Sequence, residues 1–554
     1  MTAAPAGEMD AFPQGKAVLS FFFLQFFRFS PILLGINVEQ TLTHWRENTP
    51  LPRSHRERVD DMTGLFETDV QAVKNHVLAE VAKLAYADEL TAENVLKIPK
   101  EVSPDGSKPT MRCCIYKERA ITGERIQVAM GKNINAKHED AIVQVLPIAC
   151  DECPADGIKV TETCRGCLAH RCLNACPRDA IRFDEKTRRA VIDKTKCIDC
   201  GRCAEACSYN AIVRHVRPCV RACVPGALTI DRESQKAVIN EDKCIACGHC
   251  VYQCPFGAVV DKSFITDVIR MIRDSEDNKK YHIYAIIAPA IAAQYDHVKG
   301  VTLEKVVTGI KELGFHTAIE AAWGADMTAY LESMELMEKA PEMGYLTSSC
   351  CPAFVNYIHK SFPKVVPHVS HNLSPMAQIG KILKKMDPGC KTVFVGPCIA
   401  KKTEIYREDV SQVIDSVITF EELQALFTAR NIELDKLEPS VLDNASYFGR
   451  IFARTGGVSE AVAQAFKERG DDFTANPVVC NGISECKTAL MRAQAGKLPN
   501  NFIEGMCCPN GCIGGPACLN HLPKDAAEIT KYGKTAAEQT ITDAISVIRE
   551  YEGV

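Results

Sequence analysis

Apolar residues recur at helical spacing in some stretches of the chain and form short unbroken runs in others. Val70, Val73, Val77, Val81 and Leu84 fall on one helical face, which predicts a helix soon after Met62. Leu303 to Leu313 repeats that spacing and stops at Gly314. Ile283 to Ala288 is instead a continuous apolar run of strand length, broken by Pro289. Gly344 to Thr347 and Thr392 to Val395 read as further strands, and each leads into a cysteine motif. Helical stretches over Phe420 to Ala429 and Ser459 to Arg469 alternate with these strands, and Thr535 to Tyr551 reads as a closing helix. Such alternation predicts an α/β (α+β) arrangement with functional loops where strands end. Upstream, Pro99 to Pro109 reads as a loop, and Met111 to Met130 as two strands turning at Gly123. Cys113 and Cys114 in the first of these are expected as buried thiols, since adjacent cysteines make poor joint ligands.

The pattern divides the chain into four parts. Residues 1–61 contain an apolar, phenylalanine-rich run from Lys16 to Ile36, interrupted by Gln25, Arg28 and Pro31. A spanning helix needs about 20 residues with few or no charges, and Arg28 near the middle is costly there. The segment is expected to be an extension without a role in the fold, with Met62 as a possible alternative start; a membrane or targeting role is the other reading. Residues 62–149 are expected to form a small domain without an assignable function. Residues 150–264 carry a cysteine array, and residues 265–554 a larger α/β region.

Composition changes the picture in one respect. Lys and Arg number 65 against 70 Asp and Glu, a net charge of −5, which gives no electrostatic basis for binding nucleic acid. The 28 cysteines are the anomaly. They cluster in tight C-x2-C runs, which suits metal or cluster ligation in a reducing, cytoplasmic setting better than a disulfide framework. Cys164, Cys167, Cys172 and Cys176-Pro177 form one run; Cys197, Cys200, Cys203 and Cys207 a second; Cys244, Cys247, Cys250 and Cys254-Pro255 a third. This is 4Fe-4S spacing, in which three cysteines wrap one cubane and the fourth ligates its neighbour. Zinc also uses C-x2-C pairs, but repeated sets with a trailing proline favour clusters. Cys150 and Cys153 are spaced like the first half of such a motif, Cys219 and Cys223 like the second half. The swapping rule groups Cys164, Cys167 and Cys172 with Cys207; Cys197, Cys200 and Cys203 with Cys176; and Cys244, Cys247 and Cys250 with Cys223. Cys150, Cys153, Cys219 and Cys254 remain for a fourth cluster, and three clusters plus spare thiols is the alternative.

Three further motifs follow. They are Ser348-Ser349-Cys350-Cys351-Pro352, Gly396-Pro397-Cys398-Ile399-Ala400-Lys401 with Glu404, and Glu504-Gly505-Met506-Cys507-Cys508-Pro509-Asn510-Gly511-Cys512. In this order, after a ferredoxin-like array, they resemble the three active-site signatures of the FeFe hydrogenases, over about Cys150 to the C-terminus. The resemblance implies a ferredoxin-like iron–sulfur domain followed by a two-lobed catalytic domain. It implies an H-cluster, a 4Fe-4S cubane held by Cys351, Cys398, Cys508 and Cys512, with Cys512 bridging to a diiron subsite bearing carbonyl, cyanide and a dithiolate. It implies Cys350 as terminal proton donor and a relay through Glu332, Ser370 and Glu335, the two glutamates following Ala325-Asp326-Met327-Thr328. It also implies Lys401 as partner of a cyanide, and Pro289, Ala290, Pro397, Phe452 and Met506 as pocket lining. Ser348 stands where threonine is usual, Ala353-Phe354 replace Gly-Trp, Gly396 replaces methionine and Met376 a glutamine, as in a divergent branch.

The reading is a hydrogenase interconverting protons, electrons and hydrogen, served by a ferredoxin-like carrier and dedicated maturation proteins, with three to four accessory 4Fe-4S clusters and no membrane attachment. No nucleotide-binding motif stands in a strand–helix context. The rivals are a hydrogen or redox sensor, and an electron-transfer or cluster-assembly relative without turnover.

Overall fold

The computed structural model describes residues 64–552 apart from 110, 111, 135, 155 and 232. The extension over 1–61, with its apolar run, lies outside the described residues. The valine spacing produces helix α1 (Asp69–Tyr86). Thr68 caps it by accepting from the Gln71 N–H, while the Gln71 side chain accepts from the Thr68 N–H. The buried face of α1 joins one apolar core with Ile265, Val268, Phe420 and Leu423. The segment expected as a small N-terminal domain thus shares the core of the region it precedes.

Three upstream expectations need correction. Residues 115–129 are one helix, α2 (Ile115–Ala129), with Gly123 in its interior. Ile121, Thr122, Arg125, Ile126, Val128 and Ala129 are buried; these positions recur at helical spacing, which overrides the β-branched character that suggested strands. Cys113 is exposed and Cys114 half-buried, because they stand on the solvent-open approach to α2, where Cys114 is the N-cap. Pro99 lies in the first turn of a short helix, Ile98–Val102, where its missing N–H costs nothing.

Eight short strands frame the cysteine array: β1 (Val143–Val145), β2 (Gly157–Val160), β3 (Ile181–Phe183), β4 (Ala190–Ile192), β5 (Ile212–His215), β6 (Leu228–Ile230), β7 (Ala237–Ile239) and β8 (Val259–Asp261). All pair antiparallel: β3 with β4, β6 with β7, β2 with β5, and β1 with β8. The pairing is nested. One outer-pair-plus-hairpin unit, β2 to β5, lies wholly inside another that begins at β1 and ends at β8. The insertion splits the outer unit's first cysteine loop, leaving Cys150 and Cys153 before it and Cys219 and Cys223 after. A bond repeats through all four loops. The N–H groups of Ala180, Ala211, Ala227 and Ala258 donate to Cys176, Cys207, Cys223 and Cys254 Sγ at 3.2–3.3 Å, each four residues on.

The C-terminal region carries two parallel sheets. The first has the order β10–β9–β12–β13, built from β9 (Ile283–Ile287), β10 (Thr317–Glu320), β12 (Lys391–Gly396) and β13 (Ser416–Thr419). The second has the order β11–β15–β14, built from β11 (Leu346–Thr347), β14 (Pro477–Asn481) and β15 (Phe502–Met506). The central strands β9, β12 and β15 are largely buried, while β10 and β14 at the sheet edges are partly exposed. Helix α3 (Ala321–Met343) follows β10 directly. The expected single closing helix is broken: Thr535 ends the helix Asp525–Lys534, and Thr540 caps a new one, Ile541–Ala544, by accepting from the Asp543 N–H.

Candidate functional site

Parallel pairing sends the C-terminal ends of β9, β11, β12 and β15 toward loops that carry the motifs. β9 runs into Pro289-Ala290, β11 into Ser349-Cys350-Cys351, β12 into Pro397-Cys398, and β15 into Cys507-Cys508. The loops converge on a cavity of about 90 Å³ lined by Cys350, Cys351, Cys398, Cys508 and Cys512. Pro289, Pro397, Lys401, Phe452 and Met506 also line it; Ala290, expected in the same wall, is fully buried beside Pro289 and does not line the cavity. The sequence motifs did not flag Phe394 and Ala453, which also line it. Met376 lines it too, at the position where glutamine was expected. Close approach fixes several small residues. A Cβ on Gly396 would meet the Phe394 ring at 2.5 Å, and Gly511, at φ 87°, would meet the Ala453 carbonyl oxygen at 2.7 Å.

Burial, then the neighbouring thiols of Cys398 and Cys351, push Cys512 up to about 12. Burial and Cys351 push Cys398 up to about 12. A buried set of mutually repelling sulfurs fits a metal cluster, because iron takes up the charge that burial disfavours.

Lys401 is buried at the cavity edge. Its ammonium donates to Ser374 Oγ at 2.8 Å and pairs with Glu404 Oε2 at 2.7 Å. Behind Cys350 lies Glu332, fully buried on α3. Its Oε1 accepts from the Ser349 N–H at 2.9 Å and from Ser349 Oγ at 3.3 Å, while its Oε2 has no partner among the described residues. Burial pushes this carboxyl up to about 7, against those two bonds. Burial first, and then the Glu332 carboxylate, pushes the Cys350 thiol well up. One turn further, Glu335 Oε2 accepts from Ser370 Oγ at 2.8 Å and from Asn372 Nδ2 at 2.8 Å. Its Oε1 contacts Lys339 Nζ and His371 Nδ1, both at 2.7 Å. Against the cost of burial, the bonds from Lys339, His371 and Ser370 hold Glu335 below its usual range. The four expected relay residues therefore lie in one file from the cavity to the exposed His371. Ser349, Asn372 and His371 were missed; only Lys339, at i+4 from Glu335, carried a sequence signal.

Residues 281–516 match the family model of the iron-only hydrogenase large subunit, C-terminal domain, and residues 163–211 and 215–258 each match the 4Fe-4S dicluster domain. Residues 281–516 thus resemble the C-terminal domain of the iron-only hydrogenase large subunit, and the cysteine array resembles 4Fe-4S dicluster domains. It is 28% identical over 403 residues to iron hydrogenase 1 of Clostridium pasteurianum, covering 64% of this chain and 69% of that one. It is 28% identical over 305 residues to the periplasmic Fe hydrogenase large subunit of Nitratidesulfovibrio vulgaris, covering 46% of this chain and 72% of that one. A cytosolic Fe-S cluster assembly factor of Kluyveromyces lactis is 37% identical over 99 residues, covering 18% of this chain and 21% of that one. The relatives thus include both hydrogenases and a cluster assembly factor. The chain binds iron–sulfur clusters of the 4Fe-4S kind.

In the array, several thiols of the expected groups lie close together. Cys172 is flanked by Cys207 and Cys167, and Cys203 by Cys197 and Cys176. Cys244 is flanked by Cys223. Burial, then Cys254, Cys150 and Cys153, push Cys219 up to about 12. The second dicluster match contains six cysteines, and the split loop brings Cys150 and Cys153 to complete eight. The Cys247 loop lies directly against the motif loops: a Cβ on Gly248 would sit 2.5 Å from Ile399 Cδ1 and 2.7 Å from Pro516 Cγ. No helix among the described residues is long and apolar enough to cross a membrane.

Proposed function

We propose that this protein is a hydrogenase that interconverts protons and electrons with hydrogen. The observation that carries the reading is the file of buried proton-bearing groups behind the thiol cavity, since a protein that only holds or passes on a cluster has no use for it. Cys351, Cys398, Cys508 and Cys512 would hold the cubane, with Cys512 as the bridge to a diiron subsite bearing carbonyl, cyanide and a dithiolate. When bound, that H-cluster supplies the metal chemistry at which hydrogen is formed or split.

The chain's own residues do the rest. Lys401, held by Ser374 and Glu404, presents a buried ammonium able to donate a charge-assisted bond to an anionic ligand at the cavity edge. Phe452, Met506 and Met376 keep the cavity apolar and exclude water. Cys350 offers its proton at the cavity wall and is restored from Glu332. Glu332 is poised near neutrality and is refilled through Ser370 and Glu335 from His371 at the surface. Electrons would enter at the inserted unit, where Leu168 is 97% and Ile198 56% exposed beside cysteine ligands, from a small ferredoxin-like carrier. They would pass to the Cys150–Cys254 set and leave through the Cys247 loop. Four accessory clusters, a reducing cytoplasmic compartment and maturation partners complete the reading.

The test is Cys350→Ala in matured protein. Infrared carbonyl and cyanide bands should remain at full strength, while dye-driven hydrogen evolution and uptake each fall by about 100-fold or more. Full turnover with full cofactor would remove this thiol from the route. Wild-type protein with the bands and no turnover would make it a sensor, and absence of the bands after maturation would leave an electron-transfer or assembly protein.

A further inference from the structure

Among the described residues four arginines are buried: Arg112, Arg125, Arg217 and Arg450. Arg450 pairs bidentately with Glu320, far along the chain from the array. The other three surround a single accessory site. Arg112, 8% exposed, donates from Nη2 to the carbonyls of Ala149 at 3.1 Å and Phe256 at 3.2 Å. Arg125, 6% exposed, donates from Nη2 to the carbonyls of Phe256 and Gly257, both at 3.3 Å. Arg217, 2% exposed, donates from Nε to the Pro154 carbonyl at 3.3 Å and brings Nη1 to 4.0 Å from Cys150 Sγ. Each guanidinium is thus pinned to a residue within three of Cys150, Cys153 or Cys254.

Buried charge needs a counter-charge. Arg112 has Asp151 and Glu152, each at 3.7 Å from Nη1 and partly exposed. Arg125 and Arg217 make no ion pair among those found in the described residues; Glu118 acts on Arg125 less than its burial does, and Asp156 accepts from the Arg217 backbone N–H at 2.8 Å. The missing negative charge is supplied if the four thiolates hold a cubane, which is dianionic when oxidised and gains one more negative charge on reduction. Positive charge held this close in a poorly screened interior favours the more negative, reduced state.

We propose that Arg112, Arg125 and Arg217 tune the Cys150/Cys153/Cys219/Cys254 site to be the accessory cluster most readily reduced, a charge-holding station between the inserted unit and the Cys247 loop. The proposal rests on the four-cluster reading above. Wild-type iron content tests that reading separately: about sixteen accessory irons per chain sustain it and about twelve do not.

The test is a redox titration of the loaded protein followed by electron paramagnetic resonance, with iron counted in every sample. In wild type the first accessory signal to appear on reduction should be the one the variants move. Arg125→Gln and Arg217→Gln should each make that same signal about tenfold harder to reduce, which is 59 mV for a one-electron couple. Arg125→Lys, which keeps the charge, should restore most of the shift. Three results overturn the proposal. The glutamine variants leave every signal in place with iron intact. The lysine variant shifts as far as the glutamine one, so that packing and not charge is responsible. Both glutamine variants lose four irons, so that the guanidiniums merely brace the loops.

Discussion

The Glu332 carboxyl has lost its water and accepts two bonds from Ser349, and burial outweighs those bonds, lifting it from 4.5 to about 7. A group raised in this way contributes stability fully present below 4.5 and lost as pH rises through about 7, because the folded chain holds the proton longer than the unfolded one. The position thus costs stability at neutral pH, and such a cost is typical of a functional carboxyl. In infrared difference spectra a protonated carboxyl band should titrate near pH 7 and be missing from Glu332→Gln. The same variant should keep its cofactor bands and slow hydrogen evolution by about 100-fold or more, since an amide cannot pass a proton. A band that survives the substitution would assign that titration to another group. The relay glutamates were legible only through the resemblance of Ala325-Asp326-Met327-Thr328 to a hydrogenase segment, since glutamates three apart on a helix face are otherwise ordinary. Ser349 and His371 were not, since their roles depend on how the loop after β11 and the turn after Ser370 fold back onto α3.

At the scale of elements, the nested cysteine units yield a direct prediction. Deleting residues 154–216 places Arg217 and Pro218 directly after Cys153 and regenerates an uninterrupted C-x2-C-x2-C-x3-C loop. Because β1 and β8 pair without help from the insertion, the shortened chain should fold and keep its outer unit. It should lose about eight irons. It should retain hydrogen evolution with small dyes and lose most of its reduction by a protein carrier. Loss of all array iron would show instead that the inserted unit is needed to assemble the outer one. Spacing alone revealed the half-motifs and could not reveal the nesting, which depends on strand pairs far apart in sequence. The motif-bearing strands were legible because a buried parallel strand is apolar throughout: Ile283 to Ala288 needed no context. Residues 115–129 were misread for the opposite reason. The face of α2 that is buried includes Arg125 and Thr122, so its polarity does not mark it, and Gly123 looked like a turn. That arginine is buried by the cysteine loops, a tertiary cause that no local pattern contains.

The molecule as a whole is tied together by buried charge. Lys402, fully buried next to Lys401, donates to Asp261 Oδ2 at 2.9 Å and to the Lys262 carbonyl at 2.8 Å, and pairs with Glu422 Oε2 at 2.8 Å. Lys74 on α1 pairs with the other oxygen of Asp261 at 2.6 Å and with Glu421 at 2.5 Å. Asp261 ends β8, so one carboxylate joins α1, the cysteine array and the turn that carries Cys398 and Lys401. A buried ion pair adds little over a well-packed apolar substitute, but removing one partner strands the other. Asp261→Asn and Lys402→Met should each destabilise the loaded protein by about 3–5 kcal/mol. The double variant should cost less than their sum, because the two share one network. The pH dependence has a definite sign. Despite burial, Lys402 and Lys74 hold Asp261 far below the usual carboxylate range. Its contribution is therefore present above 3.8 and lost as pH falls. Loss of iron–sulfur absorbance across a urea gradient, at pH 7 and again at pH 4, would measure both effects. At pH 4, still above 3.8, the gap between wild type and the Asp261→Asn variant should persist, because Asp261 gives up its charge only at lower pH. Equal stability of the two proteins at pH 7 would mean that the network is spent on register and not on holding the parts together.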